Sequence, residues 1–228
     1  MYKTIVVVGA SRGIGKAIVD VFAKNPENKI VALARNVGKM NSAFSEFDNV
    51  SCHALDLGTP NVREVCESIF TDLDSIDILI NNAGKLVNKP FTELSREDLE
   101  GSYNVNVLGA MQTTQAAVAK MDKAHIVNIS SIGGFQGSVK FSGLSAYSTS
   151  KAAICSFTEL FAEEYKETDI KMNCLCLGAV QTEMLEEAFP GYRAPLTAEQ
   201  MAEYITHFAE TAHQWMNGKI IPVSLSTP

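Results

Sequence analysis

Short, fully apolar runs alternate along the chain with stretches whose apolar positions recur every three or four residues. "KTIVVVG", ending at Gly9, is rich in β-branched residues and bounded by glycine, so it reads as a buried strand. From about Gly13 the period changes. Ile14, Ala17, Ile18, Val21 and Phe22 fall on one face of a helix. "KIVALA" and "NVSCHAL" are the second and third strands. "TPNVREVCESIFTDL" predicts a helix with Thr59 as N-cap and Pro60 at its first position. Val62, Val65, Ile69 and Leu73 would line one face of it. "IDILIN", "AHIVNIS", "IKMNCLCL" and "KIIPV" supply further strands, and a long helix is expected from Ala146 to about Lys166.

Strands that are apolar on both faces, alternating with amphipathic helices, imply a parallel sheet covered on both sides. The expected class is therefore α/β: a Rossmann-type doubly wound sheet of about seven strands. No repeat, biased linker or low-complexity segment interrupts the pattern, so residues 1–228 are read as one domain. The stretch from Gln181 to Trp215 fits least well. It holds Pro190, Gly191 and Pro195, and it is expected as a substrate lid above the carboxyl ends of the strands.

Composition narrows the function classes. A chain of 228 residues is long enough for a sizeable core, and 46% hydrophobic with 20% charged residues is ordinary for a globular protein. A net charge of −7 gives no electrostatic reason to bind nucleic acid or an anionic membrane. The five cysteines, at 52, 66, 155, 174 and 176, form no C-x-x-C and read as small hydrophobes in a reducing compartment. The four histidines match no common zinc spacing, so no metal is expected. The N-terminal apolar run is too short for a signal peptide, and no segment reaches membrane-spanning length, so the expected location is the cytoplasm.

Three features carry chemistry. In "VVVGASRGIG", Gly9, Gly13 and Gly15 lie between a strand and a helix, with Ser11, Arg12 and Ile14 between them. Such a turn lets backbone approach a pyrophosphate at the positive helix end. About twenty residues on, where an acid would hold an NAD ribose, stand Ala34 and Arg35. Arg35, joined by Arg12, suits a 2'-phosphate, which favours NADP over NAD. The third feature is Tyr147 and Lys151, four apart and thus on one helix face. A free phenol has a pKa near ~10, too high for acid–base work at neutral pH. Lowering it by about three units takes roughly 4 kcal/mol, about what one charge at ~4 Å supplies at an effective dielectric of ~20.

These motifs, with "DL" at 56–57, "NNAG" at 81–84, "NVLG" at 106–109, "NISS" at 128–131 and "YSTSK" at 147–151, run in order along nearly the whole chain. The chain resembles a classical short-chain dehydrogenase/reductase. The resemblance implies an NADP(H)-dependent oxidoreductase that moves a hydride between nicotinamide and a small carbonyl or alcohol substrate. It assigns Tyr147 as general acid/base and Ser131 as donor to the substrate oxygen. It assigns Lys151 to the nicotinamide ribose and to depressing the Tyr147 pKa. It assigns Asn106 to a water that links Lys151 to a proton relay. Asp56 and Leu57 would meet the adenine, and Asn82, Ala83 and Gly84 the cofactor's ribose. Gly178, Val180 and Thr182 would meet the nicotinamide, although Leu177 stands where the family usually has proline. The loop between Ser131 and Tyr147 is longer than the family's usual one and also holds Ser138, Ser142 and Ser145. Ser131 is preferred because it ends a strand. Phe135, Phe141, Leu144, Met184, Leu185, Phe189 and Tyr192 are candidates for a partly apolar pocket.

The same residues suit a 3-oxoacyl-carrier-protein reductase, for which Lys140 and Arg193 would have to form a basic docking patch. A protein that only senses NADP(H) would not need the whole Asn106, Ser131, Tyr147 and Lys151 set. The family further implies a homodimer or homotetramer, built on the helix after "NVLG" and the helix bearing Tyr147.

Overall fold

A computed structural model describes residues 2–225. In chain order the elements are β1 (Thr4–Val8), α1 (Gly13–Ala23), β2 (Lys29–Ala34), α2 (Val37–Ala43), β3 (Val50–Ala54), α3 (Val62–Phe70) and β4 (Ile78–Asn81). They continue with α4 (Arg96–Tyr103), α5 (Gly109–Val118), β5 (Ala124–Ser131), α6 (Ser145–Glu164) and β6 (Ile170–Leu177). The last are β7 (Val180–Gln181), α7 (Glu183–Ala188), β8 (Leu196–Thr197), α8 (Ala198–Thr211) and β9 (Ile220–Val223).

Seven strands form one parallel sheet in the order β3-β2-β1-β4-β5-β6-β9. The β-branched run of β1 is buried along its whole length, because helices cover both sides. Alternation sorts its side chains. Ile5 and Val7 join a core with α1 and α8, while Val6 and Val8 join one with α3, α5 and α6. Strand order reverses direction between β1 and β4, which opens a crevice at their carboxyl ends. Among the described residues no helix is long and apolar enough to cross a membrane.

The predicted start of α3 is corrected. The helix begins at Val62 with Asn61 as N-cap, and Thr59 does not cap it. Thr59 is held by a preceding turn instead: its hydroxyl donates to the Asp56 carbonyl at 2.9 Å, and Asp56 Oδ1 accepts the Gly58 N–H at 2.9 Å. The buried stripe is Val62, Cys66 and Phe70, with Val65 and Ile69 only partly covered.

The stretch 181–215 divides in two. α8 starts with a Thr197/Gln200 capping box and buries Met201, Ala202, Ile205, Phe208 and Ala209 in the core. The short α7 buries none of its residues and stands beside the glycine turn. Behind α8, the ring of His125 on β5 lies with Nδ1 2.9 Å from the Ala209 carbonyl and Nε2 2.9 Å from Asn173 Nδ2. A neutral ring that donates from Nδ1 satisfies both contacts.

Candidate active site

The glycine turn is built by exclusion of side chains. Gly9 has φ +84°, and a Cβ there would lie 2.7 Å from Ala83 Cα. A Cβ on Gly15 would lie 2.1 Å from the Gly9 carbonyl oxygen and 2.5 Å from Asn82 Nδ2. That amide donates to the same Gly9 carbonyl at 3.2 Å, so the "NNAG" segment braces the turn from the other side of the crevice. The helix α1 that follows has Arg12 as N-cap and no side-chain cap. Its first amides therefore point into the crevice without a partner from a capping side chain, the arrangement that receives a phosphate. The chain's own geometry thus fits a dinucleotide at this place.

The other predicted cofactor contacts spread around this turn. Thr182 caps α7 through Leu185 N–H, and its methyl would be 3.3 Å from a Cβ on Gly13. Gly178 donates to the Val223 carbonyl at 2.9 Å and lies tight against Ser224. Val180 buries its side chain in the core and pairs with Leu196. Ala34 is buried at the end of β2, and the exposed Arg35 follows it. Leu57 is buried against Gly109, while Asp56 is exposed and holds its own turn. Ser11 and Ile14 are partly buried in the turn and the first helical turn. Arg12 does not stand open: both terminal guanidinium nitrogens, Nη1 and Nη2, bind the carboxylate of Glu187 on α7, with Nη2 at 3.1 Å from Oε2.

The catalytic candidates converge from three elements. β5 ends at Ser131, whose Oγ accepts the Gly133 N–H at 3.2 Å and stands near enough to the Tyr147 phenol to favour its ionised form. Ser130, pointing the other way, donates to the Lys151 carbonyl at 2.8 Å and so hangs α6 on the strand. Lys151 is buried, donates to the Ile129 carbonyl at 2.8 Å, and lies 5.9 Å from the centre of the Tyr147 ring. Of the rival serines, Ser138 donates to the carbonyls of Ile132 and Phe135, and Ser142 is exposed. Ser145 is the first residue of α6 and its carbonyl accepts the Thr149 hydroxyl. Of these four serines, Ser131 is the one that acts on the phenol.

The expected depression of the Tyr147 pKa is not produced by the protein's own groups. Burial pushes the phenol up to about 12, against which the nearby Ser131 hydroxyl works. Burial also pulls the Lys151 ammonium down, to about 8. The ammonium, tethered to the Ile129 carbonyl, lies over the Tyr147 ring.

Asn106 lies in a π-helical turn, Asn104–Leu108, that links α4 to α5, a type of turn common at functional sites. Its Oδ1 accepts the Lys85 N–H at 2.7 Å, and its Nδ2 donates to the Lys85 carbonyl at 3.0 Å and to Ser150 Oγ at 2.8 Å. Both amide protons are thus committed to protein partners. Ser150 in turn donates to the Tyr147 carbonyl at 2.7 Å. A Cβ on Gly84 would sit 3.5 Å from Lys151 Nζ and 3.7 Å from Asn106 Oδ1, so Gly84 keeps this corner open.

Sequence reasoning missed the supports of the site. Asn81 Nδ2 donates to Asn128 Oδ1 at 2.9 Å, and Asn128 Nδ2 to Thr158 Oγ1 at 2.9 Å, a buried chain joining β4, β5 and α6. A polar residue at a buried position of each strand was the available signal. Among the pocket candidates, Leu144 is buried and Phe135 packs against core residues, whereas Phe141 and Tyr192 are exposed.

The short chain dehydrogenase family model matches residues 3–193. The chain is 30% identical to a 3-oxoacyl-[acyl-carrier-protein] reductase of Aquifex aeolicus, over 97% of this chain and 96% of that protein. It superposes on a short chain dehydrogenase of Burkholderia cenocepacia in complex with NADP at a TM-score of 0.87, with 23% identity over 97% and 96% of the two chains. The L-sorbose reductase of Gluconobacter frateurii, complexed with NADPH and L-sorbose, superposes at 0.86 with 26% identity, over 99% and 96%. By motif order, sheet topology and these likenesses, the chain belongs to the short chain dehydrogenase family, and it is an oxidoreductase acting between alcohol and carbonyl carbons.

Proposed function

We propose that the protein is an NADP(H)-dependent reductase of a small carbonyl compound. The observation that carries this reading is the meeting of the Ser131 hydroxyl with the Tyr147 phenol, one helical turn from the buried Lys151. When bound, the nicotinamide supplies or accepts the hydride. Ser131 donates to the carbonyl oxygen and favours the charge that develops there. Tyr147, kept protonated by burial, gives that oxygen its proton. Lys151 holds the ribose hydroxyls and keeps a positive charge beside the phenol as it loses the proton. Asn106 acts as a positioning residue: it ties the Lys85 backbone to Ser150, and through it to the first turn of α6.

The absence of an acid after β2, with Arg35 exposed there and Arg12 in the glycine turn, supports NADP over NAD. The NADP and NADPH named with the two structural relatives point the same way. The remaining cofactor contacts follow the residues above: Gly9, Ser11, Gly13, Ile14 and Gly15 in the turn, Ala34, Asp56 and Leu57, Asn82, Ala83 and Gly84, and Gly178, Val180 and Thr182. Residues 181–195, with α7, are read as the part of the overhang that covers substrate. Exposed Leu108, at the end of the π turn, and Leu160 on α6 support association of copies through this side of the molecule as a dimer or tetramer. The five free thiols fit a cytoplasmic setting.

The test is turnover of a carbonyl panel with NADPH and with NADH. Tyr147→Phe should lower kcat by about a hundredfold or more with folding intact. Near wild-type turnover in that variant would falsify the acid–base role. NADPH binding with no turnover of any panel member would favour a sensing protein instead. The 30% identical relative supports a second reading, reduction of a carrier-bound 3-oxoacyl group. Lys140 is engaged locally, donating to the Phe135 carbonyl and Ser138 Oγ, which leaves Arg193 as the freer cation for docking. A preference in kcat/KM for the carrier-bound over the simple ketone would decide for it.

A further inference from the structure

Three sulfurs meet behind the catalytic helix. Cys174 and Cys176 lie two apart on β6 and therefore face the same side of the sheet. Cys155 stands on α6, one turn beyond Lys151. The three Sγ atoms all lie within 4.8 Å of one another, with Cys155 and Cys176 at 3.6 Å. Cys174 and Cys176 are fully buried, and Cys155 is partly exposed along the helix while its sulfur points inward. Ile154, Ala110, Phe135, Phe157 and Ile220 pack around them and keep the place dry.

We propose that Cys155, Cys174 and Cys176 form a three-coordinate site for one soft cation, monovalent copper. Size supports it. Sides of 3.6 Å to at most 4.8 Å put the centre of such a triangle about 2.1 to 2.8 Å from its corners, a span that includes metal–thiolate bonds of about 2.3 Å. Donor type supports it as well: three sulfurs select a soft ion. Among the described residues no histidine or carboxylate joins the cluster to give zinc its fourth ligand, and apolar side chains cover most of it.

Polar atoms flank one corner of the cluster: Cys155 Sγ lies 3.5 Å from Ser130 Oγ and 3.4 Å from the Lys151 carbonyl oxygen. Each sulfur that bonds the ion as thiolate releases its proton to solvent. The ammonium of Lys151 offsets part of the charge that builds up.

The experiment uses the whole protein, reduced and free of oxygen, titrated with Cu(I) against a colorimetric Cu(I) chelator. The site predicts one equivalent withdrawn from the chelator, and X-ray absorption at the copper edge that counts three sulfurs at one distance. Cys155→Ser, at a partly exposed position, should weaken binding by a hundredfold or more, and Cys52→Ser on β3 should leave it unchanged. No withdrawal of copper, unaltered affinity in Cys155→Ser, or a shell containing nitrogen or oxygen would overturn the proposal. The wild-type absorption measurement decides the matter even if a variant fails to fold. Because the readout is binding, its failure leaves the reductase reading untouched.

Discussion

Arg12 and Glu187 stand 175 positions apart in the chain, yet the two form a forked ion pair that ties the glycine turn to α7. The Glu187 carboxylate does most to hold the guanidinium charged, with Glu183 adding to the negative field there. A phosphate bound by Arg12 has to compete with Glu187. Replacing Glu187 by Gln should therefore lower KM for NADPH about twofold to fivefold, the modest scale of an exposed pair, with KM for NADH little changed. Arg12→Ala should raise KM for NADPH selectively. Steady-state KM values for both cofactors check this, and an equal shift for NADPH and NADH would count against a 2'-phosphate role.

Lys151 sets an alkaline limit. Burial lowers its pKa from the ordinary 10.5 to about 8, so in the free enzyme the ammonium is lost as pH rises through about 8. Tyr147, pushed up to about 12, remains an acid over that range. The kcat/KM for carbonyl reduction should fall above pH about 8. In Lys151→Arg, whose guanidinium keeps its proton, the limb near pH 8 should vanish even though activity is reduced. A wild-type profile flat to pH 10 would contradict this assignment.

Ser131 and Ser138 separate by variant kinetics. Ser131→Ala removes the donor to the reacting oxygen and should lower kcat about 10²- to 10³-fold. Ser138→Ala breaks bonds to the carbonyls of Ile132 and Phe135 and should leave kcat within a few fold, with a small loss of stability. The reverse ranking would move the substrate-binding role into the loop.

His125 makes the fold sensitive to acid. Burial depresses its pKa from 6.5 to about 4, so the unfolded chain takes up a proton before the folded one does. The stability contribution is complete above pH 6.5 and is lost as pH falls toward 4, amounting to roughly 3 kcal/mol. Urea unfolding at pH 7, 6, 5 and 4 should show the decline. His125→Gln should start less stable and decline less steeply.

Most of the frame was legible because its strands are apolar on both faces and its helices on one. The start of α3 was misread because Thr59-Pro60 has the local chemistry of a helix start, while the Asp56 turn that claims Thr59 is visible only as geometry. Tyr147 and Lys151 were legible because helical spacing alone puts them together. Asn81 and Asn128 were not, since their partners lie on other elements. The same holds for the three sulfurs, which meet only because α6 packs on β6, and for Arg12, whose partner sits on an element that packing alone brings near. The sign of the Tyr147 shift was also beyond reach. Spacing gave the neighbour but not the degree of burial, and burial decides the outcome.

The amine of Lys151 leans on a main-chain oxygen, and among the described residues no carboxylate pairs with it. The sulfurs of Cys155, Cys174 and Cys176 are the nearby groups that favour its charge, so in a protein with a net charge of −7 the centre of the site still carries a positive pole. Reducing a neutral carbonyl brings electron density to that pole. Oxidising an alcohol first requires an anion to form and then takes its charge away. The pole therefore favours the same negatively charged transition state whichever way the hydride moves, and the supply of cofactor and substrate sets the direction.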